Sequence, residues 1–152
     1  MNTPPAPVNF PIETLGTLIS LVRTEVVRAL ETELAARGMD LSFTQFLILK
    51  RLANLGTTSA TELARAVELD GGAMTRQLDQ LERRGYLRRR PHEQDRRALR
   101  IEMTEAGNAL LRDLLDCNSR VLDAAQKSLN ETEREQLLDY LKRVLNMLRE
   151  KN

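Results

Sequence analysis

The sequence predicts a mainly α-helical protein with a small β-hairpin wing, and three observations carry that expectation. Apolar residues recur at helical spacing near both ends of the chain. Between those ends lie two short segments, each opened by a helix-start signal and separated by a turn. One stretch near residue 100 alternates apolar and charged residues, the period of a half-buried strand. Helix, turn, helix and hairpin in that order describe a winged helix-turn-helix. The long flanking helices then form a helical dimerisation region.

Residues 1–11 hold four of the five prolines and read as a flexible arm. Ile12, Leu15, Leu18, Ile19, Val22, Val26 and Leu30 then mark a first helix over about 12–36, closed by Gly38. Ser42 and Gln45 have the spacing of a capping box and open a second helix, with Phe43, Phe46, Leu47, Leu49 and Leu52 as its apolar positions. Gly56 ends the following turn, and Ser59 with Glu62 repeats the box for a short helix over 59–67 that buries Leu63, Ala64 and Val67. Asp70-Gly71-Gly72 breaks the chain before a fourth helix over about 72–84, whose inner face is Met74, Leu78 and Leu81 and whose stop is Gly85. Tyr86–Arg90 and Leu99–Met103 form the hairpin, with Leu99, Ile101 and Met103 facing inward and a polar turn from Pro91 to Asp95. Thr104 caps a fifth helix over 105–128, in which Leu115, Leu122 and Leu129 recur every seven residues. Asn130 and Glu133 open a sixth over 131–150.

The sixth helix carries Leu137, Leu138, Leu141, Val144, Leu145 and Leu148, a stripe too wide for one neighbouring helix to cover. Either the bundle closes on itself within one chain or, the expectation taken here, a homodimer covers the stripe, with Leu15, Leu18, Leu141, Val144, Leu145 and Leu148 as candidate dimerisation residues. The expected division is therefore a flexible arm at 1–11, a dimerisation region from 12–38 and 105–152, and a winged helix-turn-helix DNA-binding domain at 39–104.

Composition narrows the function. The 152 residues are 41% hydrophobic but only 3% aromatic, and the net charge is +1. Between Arg76 and Arg100, however, nine arginines face only four carboxylates (Asp79, Glu82, Glu93 and Asp95), and the rest of the chain is net negative. A concentrated arginine field is either an electrostatic footprint for phosphate or a solvated charged hairpin. One Cys and one His exclude a disulfide framework and disfavour a metal site within one chain. There is no G-x-x-x-x-G-K loop, so neither an enzyme nor a bound cofactor is expected. No apolar run approaches ~18 residues and no signal peptide is visible, so a cytoplasmic protein is expected.

The second helix of such a motif enters the major groove by its N-terminal end, which must be short, polar and close to the duplex. Gly71, Gly72, Ala73, Thr75, Arg76 and Gln77 meet that need. Arg76 can pair with the O6/N7 edge of guanine, and Gln77 can reach a base or a phosphate. The glycines either let backbone N–H groups, such as that of Gly72, approach phosphate or simply make a turn. Arg83 and Arg84 complement the helix dipole. At the hairpin tip, Arg96 and Arg97 can enter a narrow minor groove, with Asp95 holding one arginine by a charge-assisted bond. His92 is a turn residue with phosphate in reach.

The run Leu69–Gly85 resembles the recognition helix of the MarR family of bacterial and archaeal regulators. Asp95-Arg96-Arg97 with Met103-Thr104-Glu105-Ala106-Gly107 is similar to the family's D-x-R…L-T-x-x-G pattern, Met103 replacing the usual leucine. Leu41-Ser42-Phe43-Thr44-Gln45-Phe46 resembles its second-helix entry. The resemblance runs from Ile12 to the end. It implies a triangular homodimer that binds a pseudo-palindromic operator in double-stranded DNA. Carried over, it places Thr75 and Arg76 in the major groove, Arg97 in the minor groove with Asp95 orienting it, and Ser59 and Thr61 on phosphate. It also implies a repressor released by a small aromatic acid or phenolic effector bound between dimerisation helices and reading head. Arg23, Arg51 and Arg65 are surface charges that could anchor such an anion, and the ligand-binding residues stay unknown.

Two alternatives remain. Cys117, with only Arg120 as a basic neighbour within one turn, is either a small buried residue or the sensor of an oxidant-responsive regulator of the same fold. A non-DNA helical interaction module could instead use the arginines on an acidic protein.

Overall fold

The computed structural model describes residues 13–94 and 99–150. The expected flexible arm, Ile12 and the wing-tip residues Asp95, Arg96 and Arg97 therefore lie outside the described residues. The order is α1 (Leu15–Ala36), α2 (Phe43–Leu55), α3 (Ala60–Val67), α4 (Gly71–Arg83), β1 (Leu87–Pro91), β2 (Leu99–Met103), α5 (Glu105–Ala125) and α6 (Glu131–Arg149). Every helix starts on a polar cap whose side chain accepts an N–H of the first turn: Thr14, Ser42, Ser59, Asp70, Thr104 and Asn130. Reciprocal capping boxes form at Ser42/Gln45, Ser59/Glu62 and Asn130/Glu133.

One continuous core joins α1 and α5 to the winged helix-turn-helix. It contains Leu30 and Leu34 of α1, Phe46, Ile48, Leu49 and Leu52 of α2, Leu63 of α3, Met74, Leu78 and Leu81 of α4, Leu87, Ile101, and Leu111, Leu114 and Cys117 of α5. By contrast, α6 buries no residue. Leu15, Leu18, Ile19, Leu21 and Val22 at the start of α1 are also exposed.

Several sequence expectations shift. Ile48, not assigned to the apolar face of α2, is fully buried, and Leu47 is only half-buried, because α2 is covered on two sides. Gln45 is buried too; its Nε2 donates to Gln80 Oε1 at 2.9 Å. The fourth helix starts one residue earlier than expected, at Gly71, because Asp70 is the cap and its Oδ1 accepts the Ala73 N–H at 2.8 Å. Leu99, expected inward, is 50% exposed, since β2 begins beyond the edge of the body.

The wing has a third, unforeseen partner. Thr58 N donates to Ile101 O at 3.1 Å, and Ile101 N donates to Thr58 O at 2.7 Å, so the α2–α3 turn bonds to β2. Thr58 is buried, and its hydroxyl donates to Glu62 Oε2 at 2.7 Å. That same carboxylate accepts from Ser59 N and Ser59 Oγ. The Ser59 backbone bond, then the Thr58 and Ser59 hydroxyls, hold the Glu62 carboxyl below its usual range. A group with a depressed folded pKa contributes stability above its unfolded pKa and loses it as pH falls through the folded value. The fall in melting temperature on acidification below the ordinary glutamate range is accordingly expected to be shallower in Glu62→Gln than in wild type. Parallel melting curves across that range would show Glu62 adds no such term.

Candidate nucleic-acid interface

The inner face of α4 is Met74, Leu78 and Leu81, all buried, so Thr75 and Arg76 face outward. Arg76 is exposed and makes no hydrogen bond or ion pair among the described residues, leaving its five donors available. Thr75 is exposed, and its Oγ1 donates to Gly71 O at 2.9 Å. Ala73 is half-buried. Gln77 sits at the margin of the inner face, half-buried, with Oε1 buried and without a hydrogen-bond partner among the described residues. Gly72 is exposed, but a Cβ there would come within 3.3 Å of Asp70 Oδ1, so the capping carboxylate already stands near the amide expected to meet phosphate.

At the start of α3, Thr61 is exposed and its side chain has no partner among the described residues, whereas the Ser59 hydroxyl is engaged by both the backbone and carboxylate of Glu62. Arg23, Arg51 and Arg65 are exposed. His92 lies just beyond β1 where the wing loop begins, its Nδ1 accepting from Gln94 N at 3.1 Å and its Nε2 2.7 Å from Arg100 Nη2.

The arginine field is less free than its sequence count. Glu102 pairs with Arg88, and with Arg90 at 2.6 Å. Arg89 is only 19% exposed at its side chain and is clamped between two α4 carboxylates, Asp79 at 2.8 Å and Glu82 at 2.6 Å. Its backbone N–H donates to Glu82 Oε1 at 2.9 Å as well. Arg84 donates to Asp40 O at 2.5 Å and stacks over Tyr86, which ties the α4 end to the α1–α2 connection rather than merely offsetting a dipole. Among the described residues of this segment, Arg76, Arg83, Arg84 and Arg100 form no ion pair with a carboxylate.

Sequence reasoning missed the Arg89 clamp. Opposite charges ten and seven residues apart on different elements have no local signature. The clamp joins the helix expected in the major groove to the strand that leads into the wing. Arg89→Met is expected to weaken duplex binding about ten-fold while lowering stability by only ~1.5–3 kcal/mol, the range for a hydrogen bond to a charged group. Unchanged affinity would show that the wing keeps its angle without the clamp.

A buried helix pair with an exposed arginine-bearing helix end and an adjoining hairpin defines a winged helix-turn-helix protein of the transcription-regulator class. Comparison with known proteins agrees. Residues 41–99 match the family model described as MarR family. The transcriptional regulator SarZ of Staphylococcus haemolyticus is 30% identical over 107 residues, covering 70% of this chain and 71% of SarZ. The transcriptional repressor MprA of Escherichia coli K12 is 30% identical over 115 residues, 76% of this chain and 65% of MprA. The crystal structure of a mutant E. coli MarR with operator DNA superposes with a TM-score of 0.77 at 29% identity, covering 88% of this chain and 95% of that one. The chain belongs to the MarR family.

Within that fold the T-x-x-G pattern at Thr104–Gly107 is a packing device. Thr104 Oγ1 donates to Gly85 O at 2.6 Å and accepts from Gly107 N at 3.0 Å. Gly107 lets α5 lie against Tyr86, where a Cβ would meet the Tyr86 carbonyl oxygen at 2.0 Å.

Cys117 is fully buried between α1 and α5. Burial pushes its thiol up, while the nearby charge of Arg37, a neighbour invisible in the sequence, acts in the opposite sense.

Proposed function

We propose that this chain is a sequence-specific double-stranded DNA-binding transcription regulator that works as a homodimer on a pseudo-palindromic operator. The observation that carries the reading is the outward presentation of Thr75 and Arg76 on a helix rooted in the core by Met74, Leu78 and Leu81. The hairpin stands beside it, held by Arg89. Major and minor grooves that adjoin on one duplex can then be met by one rigid head. The operator complex of the similar E. coli protein supports this reading.

The uncovered faces support the dimer. Leu15 is 55% exposed, and Leu18, Leu141, Leu145 and Leu148 are exposed as well, with Val144 half-buried. Leucines left about half exposed gain on the order of 1 kcal/mol each when the remaining surface is buried, which a second copy supplies. Sedimentation at micromolar concentration is expected to give twice the chain mass.

The regulator acts as a repressor, in keeping with its similarity to the transcriptional repressor MprA. The family resemblance supports release by a small aromatic acid or phenolic effector. Such a ligand must favour a spacing of the two heads that does not match the operator half-sites. The oxidant-sensing alternative fares worse, because a buried thiol held protonated is a poor nucleophile.

The test is selection of duplexes from a random pool, followed by affinity measurement against salt and with candidate phenolic acids. A recovered pseudo-palindrome with steep salt dependence supports the reading. A pool that yields no enriched sequence would leave only an interaction module. Arg97→Ala is expected to weaken binding to that duplex about ten-fold without lowering the melting temperature. A matching loss of thermal stability would remove Arg97 from the wing-tip role.

A further inference from the structure

The Thr75 hydroxyl is already used within α4. Its Oγ1 donates to Gly71 O one turn earlier, at 2.9 Å. Threonine in a helix has few rotamers, and the one that bonds back to the preceding turn directs the hydroxyl toward its own helix. The branch left at the exposed surface is the γ-methyl group.

Gly71, one turn before on the same ridge, keeps that methyl group uncovered. Nothing in the fold requires glycine there. A Cβ on Gly71 would meet no atom within 4 Å, and its φ is not positive, unlike those of Gly38, Gly56 and Gly85. Its absence of a side chain matters only to something approaching from outside. Gly72 and Ala73, the other small residues of this turn, add no polar side chain.

In the major groove the one apolar recognition group on any base is the C5-methyl of thymine, and threonine methyl or alanine is its fitting partner. We propose that Thr75 is a specificity-determining residue that reads a thymine through methyl–methyl contact, with Gly71 clearing the approach. The inference rests on the reading of α4 as the major-groove helix. It assigns Thr75 a different base class from Arg76, whose guanidinium suits guanine. Threonine acting through its hydroxyl would instead select a base with an exocyclic amine.

The probe is the duplex that wild-type protein selects from a random pool, with each thymine replaced in turn by uracil, which lacks only the methyl group. Wild type is expected to lose about four-fold in affinity at one thymine in each half-site, the effect of one methyl group left unburied. Thr75→Ser keeps the hydroxyl and its backbone bond, and is expected to bind thymine and uracil duplexes equally. Thr75→Val keeps the methyl and is expected to discriminate like wild type. Gly71→Ala should melt no lower than wild type yet bind the thymine duplex more weakly. Wild-type indifference to every thymine-to-uracil change, discrimination retained by Thr75→Ser, or discrimination lost by a folded Thr75→Val would each overturn the inference while leaving the DNA-binding reading standing. Failure to select any duplex overturns both.

Discussion

Gly107→Ala is expected to destabilise the protein by about 3 kcal/mol or more, lowering the melting temperature by roughly 6–12 °C for a chain of this size. The added methyl would lie 2.0 Å from the Tyr86 carbonyl oxygen, well inside contact distance, and 2.9 Å from Met103 Sδ. A methionine sulfur can swing away. The carbonyl cannot, because it accepts the Thr104 N–H at 3.1 Å and lies between Gly85 and β1. Relief requires α5 to lift off the hairpin, which also pulls Leu111 and Leu114 from the core. Duplex affinity should fall in parallel, since the wing sits on this contact. A melting temperature within about 2 °C of wild type would mean that the α5–β1 contact yields cheaply and that the T-x-x-G spacing has some other cause.

Arg76→Ala is expected to abolish most sequence-selective binding. One bidentate arginine–guanine contact is worth about 1–3 kcal/mol of discrimination. A dimer on a pseudo-palindrome makes that contact twice, so the loss is roughly 30-fold to 10⁴-fold on the selected duplex. Nonspecific binding should weaken far less, because it depends on phosphate charge. Stability should stay within about 0.5 kcal/mol, as Arg76 is exposed and unpaired among the described residues. The measurement is selection from a random pool by the mutant. One position in each half-site should lose its preference, and a logo identical to wild type would remove Arg76 from the base edge.

The two predictions concern residues of opposite legibility. Arg76 stands out in the sequence, since it follows a helix-start signal and lies off the apolar stripe of Met74, Leu78 and Leu81. The capping pairs at 42/45, 59/62 and 130/133 were equally readable, because a cap is a three-residue event that the chain carries out locally. Gly107 was visible as part of a pattern, but its reason was not. The obstacle to a side chain there is a carbonyl twenty-one residues away in sequence, brought in by packing.

Charge was read well in sum and poorly in detail. The excess of arginine between residues 76 and 100 is real, yet Arg88, Arg89 and Arg90 are all paired with carboxylates on neighbouring elements. A net count treats every arginine as facing solvent. Only the apposition of β1 to α4 and of β1 to β2 shows which of them are neutralised at home.

Sequence alone determined the helices, the three capping boxes, the hairpin and the exposed end of α4, because periodicity and capping act over a few residues and need no distant partner. Tertiary structure decided the rest: the Arg89 clamp, the Thr58–Ile101 bridge, the Gly107 contact and the burial of Cys117 beside Arg37. Each joins groups far apart in the chain, and such pairings follow only from how the apolar faces of separate elements close on one core.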